Sequence, residues 1–251
     1  MTETMNIEDY LAQGGVLTSP ANVPARYRGE LLRLMATFVD SELAGSAGFA
    51  DTINDAPGLK QRMAAARITL EKTDHAERVL EIMATFGVDT QRYAVHHPWA
   101  ARIPREADIG TKRQGNDMRL SVFHYPLQGW IDAVVMNVLM GTAVEIQLEE
   151  FSRVSYAPLA EIFRAIAPRE ARHTELGLEG LKRIAASETD RVIAGKSIDF
   201  WRPHVAASFG VVGSVRFDTL KRFGLRHESN ESLLARWAAR IDALLSSLKL
   251  A

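Results

Sequence analysis

The apolar residues of this chain recur at three- and four-residue steps over long stretches, and nowhere do they alternate as a half-buried strand requires. That single periodicity restricts the fold to packed helices. Leu31, Leu32, Met35, Phe38, Val39, Ser46 and Phe49 mark one helical face, which should stop near Asn54, ahead of the turn signal Asp55-Ala56-Pro57-Gly58. A second helix is predicted over about 60–86, with Ile68, Leu70, Val79, Ile82 and Phe86 on its stripe and Gly87 as its stop. A third, over about 129–155, is the most apolar. The turn at Ser155-Tyr156-Ala157-Pro158 separates it from a fourth, about 159–186, in which Pro168 forces either a kink or a restart. Further helices are expected over about 188–209 and 229–249. Residues 1–26, broken by Gly14, Gly15, Pro20 and Pro24, read as a surface arm, and 27–251 as one helical domain. Residues 88–126 are mixed, with room for short helical pieces, and His96-His97 ahead of Pro98 reads as surface. The fold class is all-α: two antiparallel hairpins forming a four-helix core, with extra C-terminal helices.

Composition removes several function classes. With no cysteine there is no disulfide scaffold, no thiolate metal site and no cysteine nucleophile. The absence fits a reducing cytoplasm, and the N-terminus lacks the basic-then-apolar order of a secretory signal. Thirty basic against 31 acidic side chains leave no footprint for nucleic acid. The longest uncharged apolar run, Ala133–Val144, falls short of the roughly 20 residues that span a bilayer and reads as a buried helix.

The chemistry lies in polar residues set on apolar faces, since charged groups are rarely buried unless paired or bound. Glu42 interrupts the stripe of the first helix and His75 that of the second. Glu170-Ala171-Arg172-His173 places a carboxylate and an imidazole on one face of the fourth. Counted from the hairpin turns, these residues fall at matching depth, given a rise of about 1.5 Å per residue. A glutamate from one helix plus Glu-x-x-His from another is half of a ferritin-like dinuclear iron site, whose carboxylates neutralise and bridge two cations while imidazoles complete the shell. Two positions depart from the full pattern. Lys72 stands three before His75, with Glu71 beside it, and the third helix offers Gly141 at that depth, with Glu145 the nearest acid. Taken singly, each residue has an ordinary reading: a solvated Glu-x-x-His pair, a Glu42–Lys72 salt bridge, a hydrogen-bonded core histidine at 75. Glu149-Glu150 reads as one facing and one solvated acid.

The chain resembles the phenylacetic acid catabolic family, which includes the components of the ring-epoxidising phenylacetyl-CoA oxygenase, and is nearest in pattern to its catalytic component. The resemblance is densest at Phe123-His124-Tyr125-Pro126, Gly129-Trp130, Arg153-Val154-Ser155-Tyr156-Ala157-Pro158 and Glu170-Ala171-Arg172-His173. It continues through Phe200-Trp201-Arg202-Pro203, Ser208-Phe209-Gly210 and Lys221-Arg222-Phe223. Ala25–Tyr27, Ser41-Glu42 and His75 also align, so it runs from about residue 20 onward and is looser over 88–120.

The resemblance implies a ferritin-like fold and a place in aromatic or acyl-CoA catabolism. It also implies non-haem iron fed with electrons by a separate reductase, and pairing as a homodimer or with a sister ferritin-like subunit. Carried over residue by residue, it makes Glu42, His75, Glu170 and His173 metal ligands, with Lys72 and Gly141 where the family has two further acids. Three outcomes are open. Glu71 and Glu145 take over by a local adjustment such as a π-bulge. The second of two irons is lost. Or no metal binds and Lys72 compensates the charge. Correspondingly, the chain is an oxygenase component with a hydrophobic pocket beside the first and fourth core helices for an acyl-CoA or aromatic acid, or a non-catalytic partner with a structural or regulatory role. Iron storage of the ferritin type ranks last.

Overall fold

A computed structural model of the chain describes residues 6–250. Its helices are α1 (Ile7–Ala12), α2 (Ala25–Thr52), α3 (Leu59–Thr85), α4 (Thr90–His96), α5 (Gly129–Phe151), α6 (Ala157–Ala185), α7 (Glu188–Ala207), α8 (Arg216–Arg222) and α9 (Asn230–Ser247). Among the described residues there is no strand, only an isolated bridge between Leu17 and Tyr156. α2 pairs with α3 and α5 with α6, and the two hairpins meet through α2–α5 and α3–α6 contacts. This is the all-α, ferritin-like bundle that the periodicity and the resemblance imply. α7 and α9 pack on α5 from the outside.

The ends of the helices follow local chemistry. Gly87 takes φ +85° just past α3, a conformation that other residues adopt only with strain. Pro158 sits in the first turn of α6, where no backbone donor is needed. Ser187 and Ser229 cap α7 and α9 by accepting from Asp190 N (3.3 Å) and Ser232 N (3.2 Å). α5 ends at Phe151 rather than near residue 155, as Ser152 begins the turn. The arm is not wholly irregular. Asn6 caps α1, whose Leu11 is buried, as is Leu17 beyond it. α6 runs unbroken through Pro168, so the proline is carried within one helix; Phe163, Ile166, Glu170 and His173, buried on both sides of it, hold the axis.

α5 is long and apolar enough by composition to cross a membrane, with mean hydropathy 1.4, but 78% of that window is buried against the other helices. Its composition is that of a helix surrounded on all sides. Its inner surface approaches α6 closely at two glycines. A Cβ on Gly141 would lie 2.5 Å from Thr174 Oγ1, and one on Gly177 2.5 Å from Asn137 Nδ2. Asn137 Nδ2 donates to the carbonyl of His173 (2.9 Å), fixing the register of the two helices beside the polar layer.

Candidate metal centre

The structure brings Glu42 (α2), Lys72 and His75 (α3) and Glu170 and His173 (α6) into one buried cluster, each 6% exposed or less. The Lys72 ammonium lies between the two carboxylates. It donates to Glu42 Oε1 at 3.1 Å and to both oxygens of Glu170 at 3.0 Å. Nδ1 of His75 lies 3.1 Å from Glu42 Oε2 and 3.0 Å from Glu170 Oε1. Nδ1 of His173 lies 3.3 Å from Glu170 Oε1. The stem of Lys72 reaches inward beside Gly45, where a side chain would sit 3.4 Å from its Cδ.

The charges of this cluster close on themselves. Burial opposes each ion, yet Glu170 and then Glu42 hold the Lys72 ammonium above its ordinary range. Burial likewise opposes the Glu170 carboxylate, and Lys72, then His173 and His75, hold it well below the ordinary range. His75 is raised despite burial, by hydrogen bonding to Glu170 and Glu42. A charged Lys72 and a protonated His75 thus offset two carboxylates without a metal.

A dinuclear iron centre does not fit these residues. The ammonium occupies the position between Glu42 and Glu170 where bridged cations would lie, and repulsion from two dications would have to displace it. Gly141 supplies no ligand, and Thr174 fills the space a side chain there would enter. Glu71 reaches His173 from the rim, Oε2 to Nε2 at 2.7 Å, and is 26% exposed. α3 stays α-helical through this point, with no π-bulge among the described residues. Glu145 turns away towards Thr174 and Arg240. Glu149 is solvated and pairs with Arg236, whereas Glu150 is buried and accepts from His227 N. Nε2 of His75 is buried without a hydrogen-bond partner.

A cavity of about 310 Å³ opens beside the cluster. Phe38, Phe123, Met140, Val144 and Phe151 form its apolar wall, and Glu42 lies at its buried end. Arg33, Arg113 and Arg216 line its solvent side. The walls are α2, α5 and the segment 207–230, not α2 and α6, because Pro158 and Tyr156 turn α6 towards α3 and leave α5 facing the opening. Sequence reasoning missed Thr174 and Asn137, whose meaning depends on the helix crossing. It also placed His97 on the surface, whereas its side chain is only 5% exposed; His96 is exposed as expected.

Comparison with known proteins follows from this geometry. A family model described as phenylacetic acid catabolic protein matches residues 5–251. Over 206 residues the chain is 24% identical to a named component of the 1,2-phenylacetyl-CoA epoxidase of Escherichia coli (strain K12). That alignment covers 81% of this chain and 62% of the relative, so the chain spans less than two thirds of the relative's length.

Proposed function

Because the chain belongs to the phenylacetic acid catabolic protein family, we propose that it is a ferritin-like subunit of an oxygenase-type assembly whose own centre is closed by a lysine. In this reading it binds a CoA thioester or aromatic acid, or supports a sister subunit that does, and carries no iron chemistry of its own. The observation that carries the reading is Lys72 Nζ within 3.1 Å of both Glu42 and Glu170. A buried ammonium between two buried carboxylates is a complete electrostatic unit, and removing either partner is costly. The cavity supports ligand binding: its apolar wall suits an acyl or aryl group and its arginines suit phosphate or carboxylate.

Metal analysis after anaerobic loading with Fe(II) and desalting tests this. The expected result is no iron retained at the Lys72 centre. About two irons per chain, lost on Glu170→Gln, would overturn the reading in favour of an intact oxygenase. One iron lost in the same variant would place a mononuclear centre there and overturn it equally. Lys72→Glu restores Glu-x-x-His in α3 and is expected to gain iron that the parent lacks. Calorimetric titration with phenylacetyl-CoA tests the cavity, and binding should weaken in an Arg33→Ala, Arg113→Ala double variant.

A further inference from the structure

The His96-His97 pair leads to a second cluster, which the Lys72 centre does not use. α4 ends at His96, and His97 turns its ring inward beside Tyr93 and Trp99, with centroids 6.3 and 6.0 Å away. Asp40 arrives from α2 and Asp117 from the irregular segment that precedes α5. Nε2 of His97 lies 3.3 Å from Asp40 Oδ2 and 3.4 Å from Asp117 Oδ1, and all three side chains are 5% exposed or less. The three atoms lie within 4.8 Å of one another.

Two independent observations point to a ligand. First, neither ring nitrogen of this buried histidine has a hydrogen-bond partner, although Nε2 faces both carboxylates. The distances are those of contact, without the alignment of a hydrogen bond. Second, the separations match the edges of a coordination tetrahedron: metal–ligand bonds of about 2.0–2.1 Å set ligand atoms about 3.3–3.4 Å apart. The surrounding donors orient the carboxylates as an outer shell does. The Tyr93 hydroxyl donates to Asp40 Oδ1 and Met118 N to Asp40 Oδ2 (2.7 Å). Arg119 Nε donates to Asp117 Oδ2 (2.6 Å) and Arg119 N to Asp117 Oδ1 (2.9 Å). Each inward oxygen keeps a second lone pair. The Arg119 guanidinium already offsets one carboxylate, so the remaining charge and the imidazole suit a transition-metal dication better than calcium or magnesium, which prefer an all-oxygen shell.

We propose that Asp40, His97 and Asp117 bind one divalent first-row transition-metal ion through Oδ2, Nε2 and Oδ1, with a further position left to solvent. The ion clamps the segment between α4 and α5 onto α2, two residues from Glu42 and against the wall of the cavity, which Arg119 and Leu120 line.

The test is titration of the metal-free full chain with Co2+, read by visible d–d absorption. One ion per chain is expected, with the bands lost in His97→Gln and Asp117→Asn and kept in Glu170→Gln. No saturable uptake by folded wild type, or bands that persist in His97→Gln, would overturn the proposal. Bands lost in Glu170→Gln and kept in His97→Gln would overturn both this site and the lysine-closed centre. Circular dichroism checks the folding of each variant. Should both site variants unfold, zinc-edge X-ray absorption of the Glu170→Gln protein decides, since a shell without imidazole refutes the assignment.

Discussion

Replacing Lys72 with methionine keeps the length of the stem and deletes the charge. Glu42 and Glu170 then face each other in the bundle, 3% and 1% exposed, with His75 as their remaining cationic partner. Removing one partner of a buried ion pair costs about 3–5 kcal/mol. At about 2–4 °C per kcal/mol for a domain of this size, the midpoint of thermal unfolding should fall by about 6–20 °C. The loss should depend on pH in a defined direction. Glu170 is depressed in the native protein, so its contribution is present above its unfolded pKa and is lost as pH falls through the lower folded value. Without Lys72 that contribution is already gone. The gap between wild type and Lys72→Met is therefore widest at neutral pH and narrows below about pH 4. Urea unfolding followed by circular dichroism at both conditions measures it, and Lys72→Met, Glu170→Gln completes a double-mutant cycle in which the pair is expected to cost less than the sum of the singles. A single-variant cost under about 1 kcal/mol at neutral pH, typical of exposed pairs, would refute the ammonium as the counter-ion of the site.

Other outcomes follow from named contacts. Gly141→Ala drives a methyl to 2.5 Å from Thr174 Oγ1 and should cost about 1–3 kcal/mol by chemical denaturation, with Thr174→Ala relieving most of it. His97 is raised to about 9 because, against the cost of burial, Asp117 and Asp40 favour its charge. In chelator-treated protein its contribution is complete below the unfolded value of about 6.5 and lost as pH rises through about 9, so a stability difference from His97→Gln that does not shrink over that window would contradict the assignment. Asp132→Ala strips partners from Arg105, Ser197 and Trp201, and should lower the melting temperature by more than about 5 °C. Tyr27→Phe removes the hydroxyl that meets Ser155 Oγ at 2.8 Å and should cost about 1 kcal/mol.

The long helices and their pairing were legible in the residues, because an apolar stripe at helical spacing buries itself in few ways and the Asp55–Gly58 and Ser155–Pro158 turns are short. The short helices α1, α4 and α8 were not, since six or seven residues carry too little periodicity and hold their shape through caps and packing. Convergence of Glu42, His75, Glu170 and His173 was legible too: equal distances from two turns place residues at one depth.

The role of Lys72 was a different matter. Its identity raised three alternatives, and choosing among them required the position of one nitrogen relative to two carboxylates on other helices. Gly141 looked like a lost ligand in the linear pattern; against Thr174 it is also the clearance that lets α5 approach α6. His97, in an irregular stretch before a proline, had no stripe to mark it as buried, and two aspartates distant in the chain enclose it. Periodicity reports which face of a helix turns inward. What a polar group meets there depends on ångström-scale distances between elements far apart in the chain, and those are set only when the helices pack.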